Sequence, residues 1–132
     1  MSEKKPGAGR AILAIALAGV WINGFEFLRN QVLLISVWRE HYGSMGLAFP
    51  SEPVNGLLWV AWGFILAGLV FGLTRKFCPG MATLLAWPMA FALMWIVLWN
   101  LDVLPLGILP LAIPMSLVEV AGAACLCRFL AR

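Results

Sequence analysis

Long apolar stretches separated by brief polar interruptions dominate the chain. The polar, basic opening MSEKKPGAGR leads into an apolar run that begins at Ala11 and continues with few breaks to about Val37. Further runs cover about 56–74, 81–99 and 111–127. A helix rising about 1.5 Å per residue needs roughly 20 apolar residues to cross a hydrocarbon core about 30 Å thick, and each run is near that length. A transmembrane barrel would instead show segments of about ten residues alternating apolar and polar. The pattern therefore predicts an all-α fold: an integral membrane four-transmembrane-helix bundle forming a single membrane domain over residues 1–132, with backbone groups satisfied inside helices.

The interruptions define the connections. Lys4, Lys5 and Arg10 precede the first run as they would in a signal peptide, but its apolar length exceeds the usual h-region of about 7–15 residues, which favours a retained helix. The segment 38–55, WREHYGSMGLAFPSEPVN, combines charge with Gly43, Gly46, Pro50 and Pro53 and reads as an outer loop. RKFCPG reads as the turn of a tight helical hairpin. After Asn100 and Asp102, VLPLGILP leads into the fourth run, where Pro105, Pro110 and Pro114 argue against one straight helix. Such a stretch is an interfacial turn, or irregular backbone lining a cavity of the kind transporters use.

Composition sharpens this picture. Hydrophobic residues make up 63% of the chain and charged residues 11%, too apolar for an ordinary soluble domain. The net charge of +3 comes without a basic groove interleaved with stacking aromatics, so nucleic acid is not an expected partner. Topology explains the charge better. With the amino terminus inside, Lys4, Lys5, Arg10, Arg75, Lys76, Arg128 and Arg132 are cytoplasmic, Arg39 is outside and Arg29 lies within the first helix. The expected location is a bacterial inner membrane, crossed several times, with both termini cytoplasmic and the lipid bilayer as partner. Trp38, Tyr42, Trp59, Trp62, Trp95 and Trp99 fall toward the outer ends of their segments, where amphipathic rings favour the interface, whereas Trp21 and Trp87 do not. Cys78, Cys125 and Cys127 form no metal-spaced or redox pattern and read as small packing residues.

Polar groups inside the apolar runs are the candidate functional residues, because a charge at the centre of an inserting helix costs about 2.5–3.5 kcal/mol. Glu119 lies near the middle of the fourth run, with Ser116 and Gly122 three residues away on either side. In the first run Asn23, Glu26 and Asn30 fall on one stripe expected to face the bundle. Arg29 follows Glu26 at i+3, so the two form an intrahelical ion pair, or Arg29 snorkels to the outer surface and leaves Glu26 for functional use. Helix packing is expected at Gly63, Gly68, Gly72 and Gly122, either inside the bundle or between chains. His41 has too few neighbouring ligands for a zinc site. No hydrolase, zinc-protease, phosphate-loop or dinucleotide motif occurs, so no catalytic, cofactor-binding or metal-ligating residue is expected.

The stretch NQVLLISVWREHYGSMGLAFPSEPVNG, with WNLDVLPLGILPLAIP further on, resembles a group of small, uncharacterised bacterial four-helix membrane proteins. That resemblance implies the architecture and no activity. In helix number and in the first-helix acid Glu26, the chain is similar in outline to small multidrug-resistance transporters. It departs from them in its long first loop, in Arg29 and in Glu119. Two functions follow as expectations: a non-enzymatic packing or scaffold subunit of a homo- or hetero-oligomeric membrane assembly, or a small proton- or cation-coupled transporter using Glu119 and Glu26.

Overall fold

The computed structural model describes residues 7–131. They form α1 (Ala8–Leu33), α2 (Ile35–Ser44), α3 (Pro53–Thr74), α4 (Pro79–Asn100) and α5 (Leu106–Leu130). The fold is all-helical, and among the described residues α1, α3, α4 and α5 are long and apolar enough to cross a membrane. Proline or an extended residue starts two of them: Glu52 precedes Pro53 in α3, and Cys78 precedes Pro79 in α4. Proline suits that first position because its missing N–H would have had no intrahelical partner.

The expected elements exist with altered limits. The first run does not extend as one helix to Val37. A π-helical turn at Leu28–Leu33 ends α1, Leu34 leaves helical geometry, and α2 then runs through residues expected to be loop. The Trp-Arg-Glu-His-Tyr segment is helical because its apolar positions recur every three or four residues, so that Leu34, Val37, Trp38, His41 and Tyr42 turn inward while Arg39 and Glu40 face out. Gly43 is accommodated near the end of α2, and Gly46 ends it in the left-handed region at φ +72°. Gly46 N–H donates to the Gly43 carbonyl and Leu47 N–H to that of Tyr42, the paired bonds of a Schellman cap. Asp102 plays the same part after α4 at φ 59°, with Val103 N–H reaching the Leu98 carbonyl.

Proline acts inside the helices too. At Pro88 the α4 backbone widens into a π turn over Pro88–Ala92, as expected where the ring displaces the normal bond to the preceding turn. In α5 the predicted break is confined to a 3-10 turn at Leu106–Ile108. From Leu109 the helix is continuous through Pro114, whose lost bond would have used the carbonyl of Pro110 in the first turn.

Helix α5 is the hub. It packs against α1, α3 and α4, and its buried residues Ala112, Ser116, Glu119, Val120, Ala123, Ala124 and Cys127 follow helical spacing. Small side chains set the close approach: Ala14 and Ala18 of α1, Ala67 of α3, and Ala82 and Ala86 of α4 are all buried. A Cβ at Gly63 would lie 2.5 Å from the Asn23 amide nitrogen, so that side chain would have to move aside. A Cβ at Gly122 would lie 2.6 Å from the Trp21 indole, a rigid ring held by its bond to the Glu119 carbonyl. Gly68 and Gly72 differ, because a Cβ at either would meet nothing within 4 Å. Packing among the described residues therefore does not require glycine at either position. Of the cysteines only Cys127 is the buried packing residue expected; Cys78 and Cys125 are exposed.

The exterior is apolar over wide areas, with Leu57, Ile65, Leu84 and Met89 all largely exposed. Water-soluble monomers seldom leave such large contiguous patches uncovered. The topology gathers Arg10, Arg75, Lys76 and Arg128 at one end of the bundle, hereafter the basic end, and α2 with Arg39 at the other. The positions Lys4, Lys5 and Arg132 lie outside the described residues.

Gly122→Val is expected to destabilise the fold by about 1–3 kcal/mol through overpacking against Trp21. Gly72→Ala is expected to change stability little. Unfolding midpoints of the two variants in a mild detergent check the contrast.

Candidate functional site

The π turn at the end of α1 carries Arg29 and Asn30, one turn beyond Glu26. Widening the helix lets the Leu34 N–H reach back five residues to the Arg29 carbonyl at 2.9 Å. Turns of this type recur at functional sites. The Arg29 side chain runs into the bundle rather than out to its surface, and only 2% of the residue is exposed.

Arg29 joins both acids singled out in the sequence. Its Nη2 donates to Oε1 of Glu26, and its Nη1 donates to Oε2 of Glu119 at 2.7 Å. Glu26 is 6% exposed and Glu119 0%, so the three charges form one buried cluster that ties α1 to α5. The guanidinium also lies over the Phe91 ring of α4, 5.2 Å from its centroid, a favourable cation–π distance. One cation therefore contacts three elements. Its planar fork, which presents several donors at once, suits two carboxylates in a way the point charge of lysine would not.

Further bonds hold the cluster's shape. Asn30 Nδ2 donates to Oε2 of Glu26 at 2.9 Å, and Trp38 Nε1 of α2 donates to Oδ1 of Asn30 at 3.2 Å. These extend the polar chain from Glu119 to the α2 end of the bundle, beneath the aromatic group Trp38, Tyr42 and Phe49. Trp21 Nε1 donates to the main-chain carbonyl of Glu119 at 3.0 Å. One turn along α5, Ser116 accepts from Trp87 Nε1 at 2.8 Å and donates to the Ile113 carbonyl at 2.9 Å. Oε1 of Glu119 is buried with no hydrogen-bond partner among the described residues. Toward the basic end the buried positions are mainly apolar, with Ala18, Val70, Ala123, Ala124 and Cys127 filling the core and the Thr74 hydroxyl donating to the Phe71 carbonyl of its own helix.

The structure thus unites Glu26, Arg29, Asn30 and Glu119. It separates Asn23, whose Nδ2 donates to the Gly19 carbonyl at 2.9 Å and packs on Gly63 at the α1–α3 contact. Ser116 neighbours the cluster along α5 but is engaged by Trp87. Surface snorkelling of Arg29 is ruled out by its burial. Sequence reasoning missed Trp21, Trp38, Trp87 and Phe91. A signal existed for two of them: Trp21 and Trp87 were the tryptophans that did not fit an interfacial belt, and both spend their indole N–H on buried acceptors of α5. Trp95, placed in that belt, is buried against Phe91 and Trp87.

Chemically, two carboxylates share one guanidinium in a water-poor interior. Such a cluster is a strong positional lock, because removing its cation leaves both anions uncompensated. His41 takes no part; its Nε2 lies 3.3 Å from the Asp102 carbonyl oxygen and links α2 to the α4–α5 turn. Among the described residues, no group of three or more His, Cys, Asp or Glu is placed to hold a metal ion.

Arg29→Met is expected to destabilise the protein by about 3–5 kcal/mol, because two buried carboxylates lose their cation. Glu119→Gln keeps an acceptor for Arg29 and removes the surplus negative charge, so its cost should be below about 1.5 kcal/mol, the scale of a neutral hydrogen bond. Denaturant midpoints of the two variants measured side by side check the asymmetry.

Comparison of the chain with protein-family models, with curated proteins and with solved structures returns no match in any of the three.

Proposed function

We propose that this chain is a non-enzymatic, multi-pass protein of a bacterial cytoplasmic membrane that acts as a packing subunit of a homo- or hetero-oligomeric assembly. Both termini lie on the cytoplasmic side in this reading, because Arg10, Arg75, Lys76 and Arg128 gather at the basic end and positive residues are retained inside. The observation that carries the reading is how the buried charges are used. Arg29 commits its guanidinium to Glu26 and Glu119, so the cluster's strongest interactions join helices of the same chain. That arrangement supports a rigid body better than a reacting centre.

The outward face of α3 supports the assembly part. Ile65, Leu69 and Gly72 are exposed along it, and Gly68 and Gly72 have open space beside them, so a neighbouring helix backbone has room to approach. Mass measurement in mild detergent tests the proposal. A particle larger than one chain is expected, and Gly68→Leu with Gly72→Leu should shift it toward monomer while leaving helicity unchanged. A strictly monomeric particle with no co-purifying partner would overturn the assembly.

A second reading rests on Oε1 of Glu119, buried without a partner among the described residues, at the end of a polar chain leading through Arg29, Glu26 and Asn30 to Trp38. In a proton- or cation-coupled transporter that oxygen would exchange its load through this chain. Glu119→Gln should then abolish proton flux in proteoliposomes; unchanged flux would remove Glu119 from any such role.

A further inference from the structure

On the flank of the bundle between α1 and α5 lies a laterally open groove of about 420 Å³, lined by Trp21, Gly122, Cys125, Leu126 and Phe129. Its floor is held in place. The Trp21 indole bonds to the Glu119 carbonyl and fits against α5 because residue 122 has no side chain. Its walls are open, with Cys125 exposed and Phe129 74% exposed.

The flank continues from the groove toward a charged end. Arg10 precedes Trp21 by eleven residues, which at about 100° per residue returns to the same face of α1, about 16 Å nearer the basic end. Leu13 and Leu17 are exposed along the intervening turns. That length matches one leaflet of a bilayer whose hydrocarbon core is about 30 Å thick. Arg10, Arg75, Lys76 and Arg128 stand at that end, whereas the acidic residues among those described, Glu26, Glu40, Glu52, Asp102 and Glu119, lie in the bundle interior or toward α2.

We infer that this flank is a binding site for one anionic phospholipid of the cytoplasmic leaflet, with an acyl chain lying in the groove up to the Trp21 floor and the phosphate at Arg10. An apolar flank about one leaflet long, running from the groove to the cations, matches a lipid that is negative at one end and apolar along the rest. A partner helix would complement the apolar length but not the cationic end. The inference rests on the proposed residence in the membrane with the basic end cytoplasmic, and not on the proposed assembly; the occupied face is on α1 and α5, not α3.

Native mass spectrometry of the full chain, released from detergent after addition of phosphatidylglycerol or phosphatidylcholine with identical acyl chains, tests it. The unmutated chain is expected to retain phosphatidylglycerol about fivefold more than phosphatidylcholine, the scale of one basic residue at an anionic surface. Arg10→Gln should erase that preference. Cys125→Trp, which fills the slot from an exposed position, should reduce retention of both lipids, and Phe129→Ala, which removes a wall, should do the same should the tryptophan variant not fold. Equal retention of the two lipids by the unmutated chain, or retention indifferent to both groove variants, would overturn the site. So would loss of a dimer on Cys125→Trp with no lipid adduct, since a second copy would then be the occupant. A chain that stays monodisperse without detergent would instead bring down membrane residence itself, and a monomer that retains lipid selectively would bring down only the assembly.

Discussion

The placement of Arg29 organises the rest of the molecule. A guanidinium buried to 2% exposure is tolerable only if its charge and its donors are answered, and here two carboxylates and an aromatic face answer it. Satisfying it requires that α1, α4 and α5 meet at one level. It also requires α1 to change geometry at Leu28–Leu33 so that Arg29 and Asn30 point inward together. The indoles of Trp21, Trp38 and Trp87 then brace the same region from three helices, each through its N–H. Below this level the helices approach through alanine, glycine and a buried cysteine, where shape rather than charge sets the contact.

This arrangement separates two kinds of specificity. Apolar packing discriminates weakly between registers for helices that cross a bilayer, since lipid tails are as apolar as leucine. A cluster of three charges discriminates strongly, because sliding α1 against α5 by one turn would leave Arg29 with Glu26 alone and strand the buried Glu119 carboxylate without a cation. The Trp21 indole against Gly122 adds a steric check on the same pair of helices. We regard the charge cluster as the register lock of the bundle and the glycine contacts as its fine adjustment.

Much of this was legible in the sequence, in graded fashion. The number and rough extent of the long helices follow from apolar run length, because nothing else about Leu57 to Leu73 competes with it and Pro88 widens the third run without ending it. The Glu26–Arg29 pair was one of the two readings that its i, i+3 spacing left open, and the burial of Arg29 decides for it. The bond from Arg29 to Glu119 does not, because it spans 90 residues and depends on which faces of α1 and α5 meet. Helix α2 was hidden for a different reason: Gly43, Gly46 and the charges of Arg39 and Glu40 carry turn signals, while its short inward stripe of Val37, Trp38, His41 and Tyr42 is visible only once the bundle it covers is known. Gly68 and Gly72 show the limit of motif reading, since their spacing is right for close packing and yet packing among the described residues requires glycine at neither.

The register lock is tested most directly by solid-state NMR on the chain reconstituted in bilayers, with nitrogen-15 in arginine and carbon-13 in the side-chain carboxyl of glutamate. In a Glu26→Gln background, dipolar dephasing should place the Arg29 guanidinium in direct contact with one remaining glutamate carboxyl, and Glu119→Gln should abolish that signal. A dephasing curve showing no carboxyl carbon within contact of Arg29, or one that survives Glu119→Gln, would contradict the account.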